Sequence, residues 1–430
     1  MTEKKRKKRG KGKMKTMSQL AHHFGVIMRA YPSDQQKDII KVNSDASRFM
    51  YNEMVATDNE LWQLKQVKLP IDTVLIRIDQ LKQRRTTKGM ANYYWFLNDS
   101  RIDSLAKANA IQNYHKAWKT FHQVHRAGVP NFHRKSYEWR YQTTCQYPKL
   151  TEAWLTNGTV KFVDRHHVKI PKLGVIRVKG SYQRLLDRKA QTRISTVTIR
   201  KDTADRFFIS MQLASDTPFV ETKAAKGGHL GIDLNTDNFL TTSNGDVVAN
   251  PRYYRTIKGK LAKAQRKLSR RQRRAKKEHR ALRDSKNYQK QRLLVAKLHQ
   301  KVRNQRRNFL QNLSTKLIKN HDVIVAEELR SANLLKNHAL AMSISDVGWR
   351  SFLGMLDYKA DLYGRTFVKV NPKITTQTCH ECGFVMGTED TQKLTLKDRQ
   401  WTCPKCGAFH IRDHNAAQNI LAKGLEKQMV

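Results

Sequence analysis

The sequence predicts a multidomain α/β protein, and three patterns support this fold class. Apolar residues recur at helical spacing up to about residue 125, whereas side chains alternate with a period of two from about 158 to 215. Beyond residue 226, short apolar strands are separated by helical stretches, as in proteins that cover a sheet with helices. A chain of 430 residues is long enough for about two to four domains, each with its own core.

The charge balance predicts a polyanionic partner. The chain carries 83 lysines and arginines against 36 aspartates and glutamates, a formal net charge of +47. Self-repulsion makes such an excess unfavourable unless a polyanion neutralises it, which favours nucleic acid. The alternative, an anionic membrane surface, is disfavoured because no apolar run approaches about 18 residues and no signal peptide opens the chain. We therefore expect a cytoplasmic protein.

Residues 1–20 form a basic tail that includes the run KKRKKRGKGKMK, and we expect this tail to be disordered. It could add phosphate contacts, serve as a nuclear localisation signal, or result from an incorrectly assigned start. The sequence leaves these three interpretations open.

The N-terminal half is predicted to contain a β-barrel interrupted by a helical domain. A strand is expected to end near Tyr31, and Ser33 and Gln36 have the spacing of a capping box that opens a helix. Residues 45–135 read as the inserted helical domain, and residues 136–225 as a β-meander. The early strand, within residues 21–44, is expected to join the later strands and complete the barrel.

A β-hairpin with Asn244-Gly245 at its turn is predicted over residues 227–250, and a strongly basic region follows it. Between residues 252 and 307 there are 23 lysines and arginines among 56 residues, and two acids. Two apolar series at helical spacing predict an antiparallel helix pair with a narrow seam: Ile257, Leu261, Ala264 and Leu268, then Leu294, Leu298 and Val302. The outer face is either an ordinary solvated surface or, as we favour, a phosphate-binding face that includes Arg270, Arg271, Arg273 and Arg274.

Three acidic residues stand where a carboxylate needs a partner. Asp233 and Glu327 lie in apolar strands, and Asp413 opens the last helix. A lysine or backbone amides could pair with any one of them, but three converging carboxylates in a basic chain favour Mg²⁺, which prefers oxygen ligands. Two such ions about 4 Å apart would support phosphodiester hydrolysis. The order hairpin, strand, helix for the three acids is analogous to the layout of RNase H-like nucleases.

Five cysteines are present, and four of them form two C-x-x-C pairs separated by twenty residues. The pairs are Cys379 with Cys382 and Cys403 with Cys406. This spacing predicts a zinc ribbon over residues 376–409 with one structural Zn²⁺, while a redox dithiol is the weaker alternative. His380 and His410 are expected to lie outside the ligand set, and Cys145 to be a small core residue. We expect the zinc-bound hairpin to deliver Asp413, in the final segment 410–430, to the other two acids.

Together these motifs resemble the TnpB family, transposon-encoded RNA-guided nucleases formerly described as OrfB transposases and related to compact type V CRISPR nucleases. The resemblance begins near residue 24 and is carried by GIDLNTDNFL, VIVAEELRSANLLKN, QTCHECG and WTCPKCGAFHIRDHNAAQNIL. It implies a RuvC-type site whose acids are Asp233, Glu327 and Asp413, within a nuclease domain of residues 226–375 and 410–430. Asn235 and Ile411 depart from the family pattern, at positions where glycine and an acidic residue are common.

The resemblance also implies partners and a place of action. An N-terminal lobe, the wedge barrel with its recognition helices, would bind a guide RNA and read a short motif beside the target DNA. We expect a monomer bound to RNA, near the nucleoid of a bacterium or archaeon. A CRISPR effector with the same chemistry remains an alternative. A nuclease-inactive repressor is less favoured because all three acids are kept, and so is a transposase that joins DNA ends.

Strand geometry predicts which of two adjacent glutamates serves the site. Successive side chains of a strand point to opposite faces, so Glu327 shares a face with Val323 and Val325, and Glu328 points away. Asp233 is expected on the adjacent strand with its side chain on the face of Glu327.

Overall fold

The structure, a computed structural model, describes residues 17–67, 72–147, 154–180, 183–186, 192–220, 222, 224, 227–328, 348–388, 390–395 and 397–429. The basic tail therefore lies almost wholly outside the described residues, as does the stretch after Glu328 in the VIVAEELRSANLLKN motif. The chain divides into two compact units, Met1–Phe219 and Val220–Val430. No helix in these described ranges is both long and apolar enough to cross a bilayer.

The first unit is built on a seven-stranded sheet in the order β2-β6-β7-β1-β5-β4-β3. The strands are β1 His22–Tyr31, β2 Trp139–Thr144, β3 Lys161–Asp164, β4 His167–Ile170, β5 Gly174–Lys179, β6 Thr192–Lys201 and β7 Phe207–Ser215. Every pairing is antiparallel, and β1 pairs with both β5 and β7, so the early strand does join the later ones. Burial alternates along β7, which supplies apolar side chains such as Ile209 and Met211 to the core.

Helices fill the interval between β1 and β2. They are α1 Asp34–Lys65, α2 Asp72–Arg84, α3 Thr87–Tyr93 and α4 Ser104–Gln123, with two short helices, α5 Trp154–Asn157 and α6 Gln183–Leu186, among the later strands. The predicted capping box is present, since the Ser33 side chain accepts from the Gln36 amide and the Gln36 side chain accepts from the Ser33 amide. Helices α1 and α4 pack around a separate core that includes Met50, Met54 and Tyr114.

The second unit contains a five-stranded sheet in the order β10-β9-β8-β11-β12. Its strands are β8 His229–Asp233, β9 Asn238–Thr242, β10 Val247–Ala249, β11 Val323–Glu327 and β12 Thr366–Val370. Strand β11 is parallel to β8 and β12, and β9 is antiparallel to β8 and β10. The region predicted as one hairpin thus contains three strands, because residues 234–237 make a further turn before the expected one at Asn244-Gly245.

Helices cover both faces of this sheet, so the predicted α/β class is confirmed. Two long helices, α7 Tyr253–Lys277 and α8 Lys286–Asn320, are followed by α9 Trp349–Tyr363 and, at the C-terminal end, α10 Arg412–Met429. Leu317 of α8 and Phe352 of α9 join one core with Ile324 of the sheet. Ile420 of α10 packs on the opposite face against Val325 and Val370.

The basic helix pair is present, but one seam position differs from the prediction. Leu261 of α7 packs with Val295 and Leu298 of α8, whereas Leu294 is 45% exposed. The prediction for Leu294 was wrong because apolar residues at 294 and 295 fit almost the same helical spacing, and the contact with α7 selects Val295. Gln291 donates to the Ala264 carbonyl at 2.9 Å, which fixes the alignment of the two helices.

Two glycines allow α10 to lie directly on the sheet. A Cβ at Gly231 of β8 would stand 2.1 Å from the Ala417 carbonyl oxygen of α10. A Cβ at Gly424 of α10 would stand 2.3 Å from a methyl carbon of Val325 in β11. These distances are far below van der Waals contact, so neither position accepts a side chain without displacing the helix.

We predict that Gly424→Ala destabilises the protein by about 1–3 kcal/mol through overpacking, despite the better helix propensity of alanine. Gly354 is the matched control, because it also lies within a helix but a Cβ there would meet nothing within 4 Å. Gly354→Ala is expected to be neutral or stabilising by up to about 1 kcal/mol. Denaturant unfolding of the two variants compares them directly, and equal midpoints would contradict the close approach of α10.

Candidate functional site

The three predicted acids lie at the ends of elements that meet. Asp233 is the last residue of β8 and Glu327 the last residue of β11, and both are buried. These parallel strands pair Ala326 with Ile232, so the next pair in the same register is Glu327 with Asp233. The carboxyl ends of parallel strands are where α/β sheets place their ligand sites. Asp413 lies in the first turn of α10, the helix that rests on these two strands.

The faces of the strands agree with the predicted alternation. Val325 packs toward α10, and Ile324 and Ala326 pack into the opposite core. By alternation Glu327 shares the α10 face with Val325, and Glu328, beyond the end of the strand, is exposed. Gly231 also faces α10, so Asp233, two residues later, lies on that same face.

The electrostatics show that the carboxylates influence one another. The pKa of Asp233 is raised to about 8, chiefly by burial and then by the nearby charges of Glu327 and Asp413, against the opposing effect of Arg412 and a hydrogen bond from Asn235. Burial also raises the pKa of Glu327, while Thr375 and Lys423 act to lower it. A cation between the three carboxylates would favour their ionised forms, and carboxylate oxygens are the ligands that Mg²⁺ prefers.

Several polar residues around Asp413 were not found by sequence reasoning. Arg412 donates two hydrogen bonds to Asp413 Oδ1, at 3.1 and 3.0 Å. Asn235 Nδ2 donates to Asp413 Oδ2 at 3.3 Å, and a terminal nitrogen of Arg399 lies 3.7 Å from that oxygen. Arg399 also forms an ion pair with Asp237. Arg412 directly precedes Asp413 and Asn235 lies two residues after Asp233, so closeness in sequence to an acid was a signal for these two. Arg399 lies in the cysteine-rich segment, and its sequence position gave no such signal.

The four cysteines of the two C-x-x-C pairs form one cluster. Their sulfur atoms lie within 4.8 Å of one another, with 3.7 Å between Cys379 and Cys406 and 3.6 Å between Cys382 and Cys403. A disulfide needs about 2.05 Å. Tetrahedral zinc with Zn–S bonds of about 2.3 Å would instead separate sulfurs by about 3.8 Å, so the cluster fits Zn²⁺.

A glycine with a left-handed backbone conformation follows each C-x-x-C pair. Gly383 and Gly407 both have φ of +74°, and their amides donate to the carbonyls of Cys379 and Cys403, respectively. Strands β13 Gln400–Thr402 and β14 Phe409–Ile411 form the hairpin that carries the second pair. The ring of His410 is buried with Nε2 3.0 Å from Cys379 Sγ, so this histidine lies directly against the cluster.

The four arginines predicted to bind nucleic acid have two different settings. Arg270 and Arg273 are exposed and line a groove with Lys263, Arg266 and Ser269. Arg271 instead donates to the Asn287 carbonyl of α8 at 2.6 Å, and Arg274 forms an ion pair with Glu278 at 2.7 Å. Among the described residues, Arg270 and Arg273 make neither a hydrogen bond to α8 nor an ion pair of this kind.

Elsewhere, Cys145 is buried in the core of the first unit, as expected for a small apolar residue. Burial raises the pKa of its thiol, which keeps it protonated and unreactive.

We predict that Cys403→Ser releases the bound zinc and unfolds residues 376–409, because thiolate ligation supplies most of the folding free energy of such a ribbon. Metal analysis of the intact protein should find about one zinc per chain. Cys145→Ala is the control, since it removes a cysteine remote from the cluster and should leave the zinc content unchanged. Full zinc content in Cys403→Ser would contradict the assignment of the cluster.

The chain matches two family models and resembles solved structures of other proteins. A family model described as "Probable transposase", of the OrfB type, matches residues 208–338. A second model, described as "Cas12f1-like, TNB domain", matches residues 349–420, which include the cysteine cluster and Asp413. Among solved structures, a Cas12f1 chain from a complex with sgRNA and target DNA is 14% identical, with a TM-score of 0.47 over 93% of this chain and 98% of that chain.

Two curated relatives match the chain along most of its length. A protein from Streptomyces pristinaespiralis, named as an RNA-guided DNA endonuclease, is 32% identical over 400 residues, or 92% of this chain and 88% of the relative. InsQ from Escherichia coli, which has the same kind of name, is 27% identical over 410 residues, or 91% of this chain and 90% of the relative. With identity of this extent to the first relative and with an OrfB model matched, the chain belongs to the TnpB family.

Proposed function

We propose that this protein is an RNA-guided DNA endonuclease that cleaves double-stranded DNA at a site formed by Asp233, Glu327 and Asp413. The observation that carries the proposal is the convergence of two strand-end carboxylates with a third at the start of α10. The curated relatives named for this activity add support, because the chain matches about nine-tenths of their length. The guide RNA and the target DNA are then the polyanions that the net charge of +47 calls for.

The proposal includes an assignment of domains. Residues 21–44 and 136–225 form a β-barrel wedge domain, and residues 45–135 form the recognition domain that reads a short motif beside the target. The joining of β1 to the later strands across the inserted helices supports this division. Residues 226–375 and 410–430 form a RuvC-like nuclease domain, interrupted by the zinc ribbon of residues 376–409. A three-stranded meander extended by two parallel strands, in the order β10-β9-β8-β11-β12, is the arrangement expected of an RNase H-like fold.

The residues of the site have separate parts to play in hydrolysis. Asp233, Glu327 and Asp413 would hold Mg²⁺, as a pair of ions in the mechanism we favour. When bound, Mg²⁺ supplies an activated water and stabilises the leaving oxygen. Arg412 and Asn235 hold the Asp413 carboxylate, because Arg412 donates to Oδ1 and Asn235 donates to Oδ2. Arg399, half exposed beside Asp413, adds positive charge where a DNA phosphate would approach.

We propose further that the cysteine cluster holds one structural Zn²⁺ and takes no part in the chemistry, since four thiolates leave no open coordination position. A protein that acts on DNA with a guide RNA works where both are found, which places it at the nucleoid of a bacterial or archaeal host.

Substitution of the two adjacent glutamates tests the site. Glu327→Gln is predicted to abolish Mg²⁺-dependent cleavage of a guided target, as is Asp233→Ala, because each removes a metal ligand. Glu328→Gln is the matched control, and we expect a loss of at most about tenfold, or about 1.4 kcal/mol of barrier, because its side chain is exposed. Guide-RNA binding should be unchanged in all three. Reversed effects of the two glutamate variants would require a different set of ligands.

The basic groove of α7 gives a second prediction. The double substitution Arg270→Gln and Arg273→Gln should weaken binding to nucleic acid and flatten its salt dependence. Each lost phosphate contact removes about 0.9 from the log–log slope on duplex DNA or about 0.7 on a single strand. Arg271→Gln is the comparison, because its guanidinium is occupied by α8, and it should leave the slope nearly unchanged while lowering stability. If the double variant has the same salt-dependence slope as the wild type, this face of α7 does not bind phosphates and is an ordinary solvated surface.

A further inference from the structure

Residues 373–380 follow β12 and include Cys379. This segment contacts both the candidate active site and the cysteine cluster. Thr375 is 1% exposed, and its hydroxyl donates a hydrogen bond to Glu327 Oε1. Four residues later the same segment supplies Cys379 to the cluster. A single stretch of backbone therefore supports one carboxylate of the site and one thiol of the ribbon.

Side chains on one face of α10 form hydrogen bonds with the backbone of this segment. Asn419 Nδ2 donates to the carbonyl oxygens of Thr375, at 2.9 Å, and Thr378, at 2.6 Å. Asn415 donates to the Thr378 carbonyl at 2.7 Å and accepts from the His380 amide at 2.9 Å. Both asparagines are buried, so these hydrogen bonds are shielded from competition with water.

A third residue extends the same stripe of the helix. Lys423, four residues beyond Asn419, donates to the Lys373 carbonyl at 2.7 Å. Positions 415, 419 and 423 recur every four residues, so their side chains lie above one another along α10. The whole segment from 373 to 380 is thereby fixed to α10, whose first turn carries Asp413.

The backbone of the segment shows that its conformation is imposed by these contacts. Ile374, directly before Thr375, has φ of +59°, a left-handed conformation that is strained for a β-branched residue. The Ile374 carbonyl accepts from the amides of Gln377 and Thr378, both at 3.1 Å. This tight turn aims the Thr375 side chain at Glu327 and the following residues at the cluster.

We propose that Thr375 is a positioning residue that orients the Glu327 carboxylate for metal binding, and that Asn419 and Asn415 hold Thr375 in place. The inference rests on the proposed function, since Glu327 is there a ligand of Mg²⁺. A hydroxyl that donates to one carboxylate oxygen restricts rotation of the carboxylate and leaves its other oxygen for the metal. The same segment therefore stabilises both sites. Thr375 donates a hydrogen bond to the Glu327 carboxylate, and Cys379 would be a ligand of the zinc ion.

The test compares Thr375→Val with Thr375→Ser in the full chain, using Mn²⁺ as a probe in place of Mg²⁺. Valine keeps the shape without the hydroxyl, and serine keeps the hydroxyl. Mn²⁺ binding followed by electron paramagnetic resonance should weaken by about 10- to 100-fold in Thr375→Val and return close to the wild-type value in Thr375→Ser. Zinc content and guide-RNA binding should stay unchanged in both. Wild-type Mn²⁺ affinity in Thr375→Val would overturn the proposal, as would equal weakening in Thr375→Ser.

A second pair of variants acts from the helix. Asn419→Ala removes two hydrogen bonds to the segment, whereas Lys427→Met removes a hydrogen bond from the same helix to β12, outside the segment. Asn419→Ala should weaken Mn²⁺ binding and Lys427→Met should not. If Thr375→Val sheds zinc or fails to fold, this pair decides the question, and equal Mn²⁺ binding by the two variants then overturns the proposal.

Glu327→Gln separates this inference from the proposed function. If Glu327→Gln binds Mn²⁺ and cleaves DNA as the wild type does, the proposed active site is wrong. If Glu327→Gln is impaired and Thr375→Val is not, the site stands and only the role of Thr375 is rejected.

Discussion

The close approach of α10 to the strands β8 and β11 is the constraint on which the candidate site depends. Gly231 and Gly424 have no side chain, and a Cβ at either position would hold the helix and the sheet apart. Asp413 can reach the strand-end acids because the helix lies this close to the sheet. Asn415 and Asn419, on the next turns, are brought to the segment that supports Glu327 by the same packing.

The negative charges of the three acids repel one another, and nearby arginines offset part of this repulsion. Burial and mutual repulsion raise the pKa of Asp233 and so favour its protonated form. Arg412 and Arg399 offset part of the repulsion by their positions beside Asp413. The chain thus places cations from α10 and from the cysteine-rich segment beside Asp413, and in the proposed site a divalent ion would offset the rest of the repulsion between the carboxylates.

Sequence patterns predicted the features that short-range periodicity controls. The buried position of Glu327 and the exposed position of Glu328 were predicted because strand alternation is local. The cysteine cluster was predicted because ligand spacing is local. Asn235, Arg399 and Thr375 were missed as partners of the acids because their contacts join segments as far apart as residues 235 and 413. Leu294 was misplaced because two adjacent apolar residues fit one helical period, and only packing against α7 distinguishes them.

The order of the acids along the chain has a consequence for protein synthesis. Asp233 and Glu327 are joined by parallel strands that need the intervening α7 and α8 to connect them, and Asp413 arrives only with α10. During synthesis, Asp233 and Glu327 therefore emerge from the ribosome well before Asp413. The cysteine-rich segment emerges after Glu327 and before Asp413. The three acids can come together only after residue 413 has emerged and the segment before it has folded. For a protein proposed to cut DNA, this order keeps the nascent chain without a complete set of ligands until synthesis has passed the ribbon.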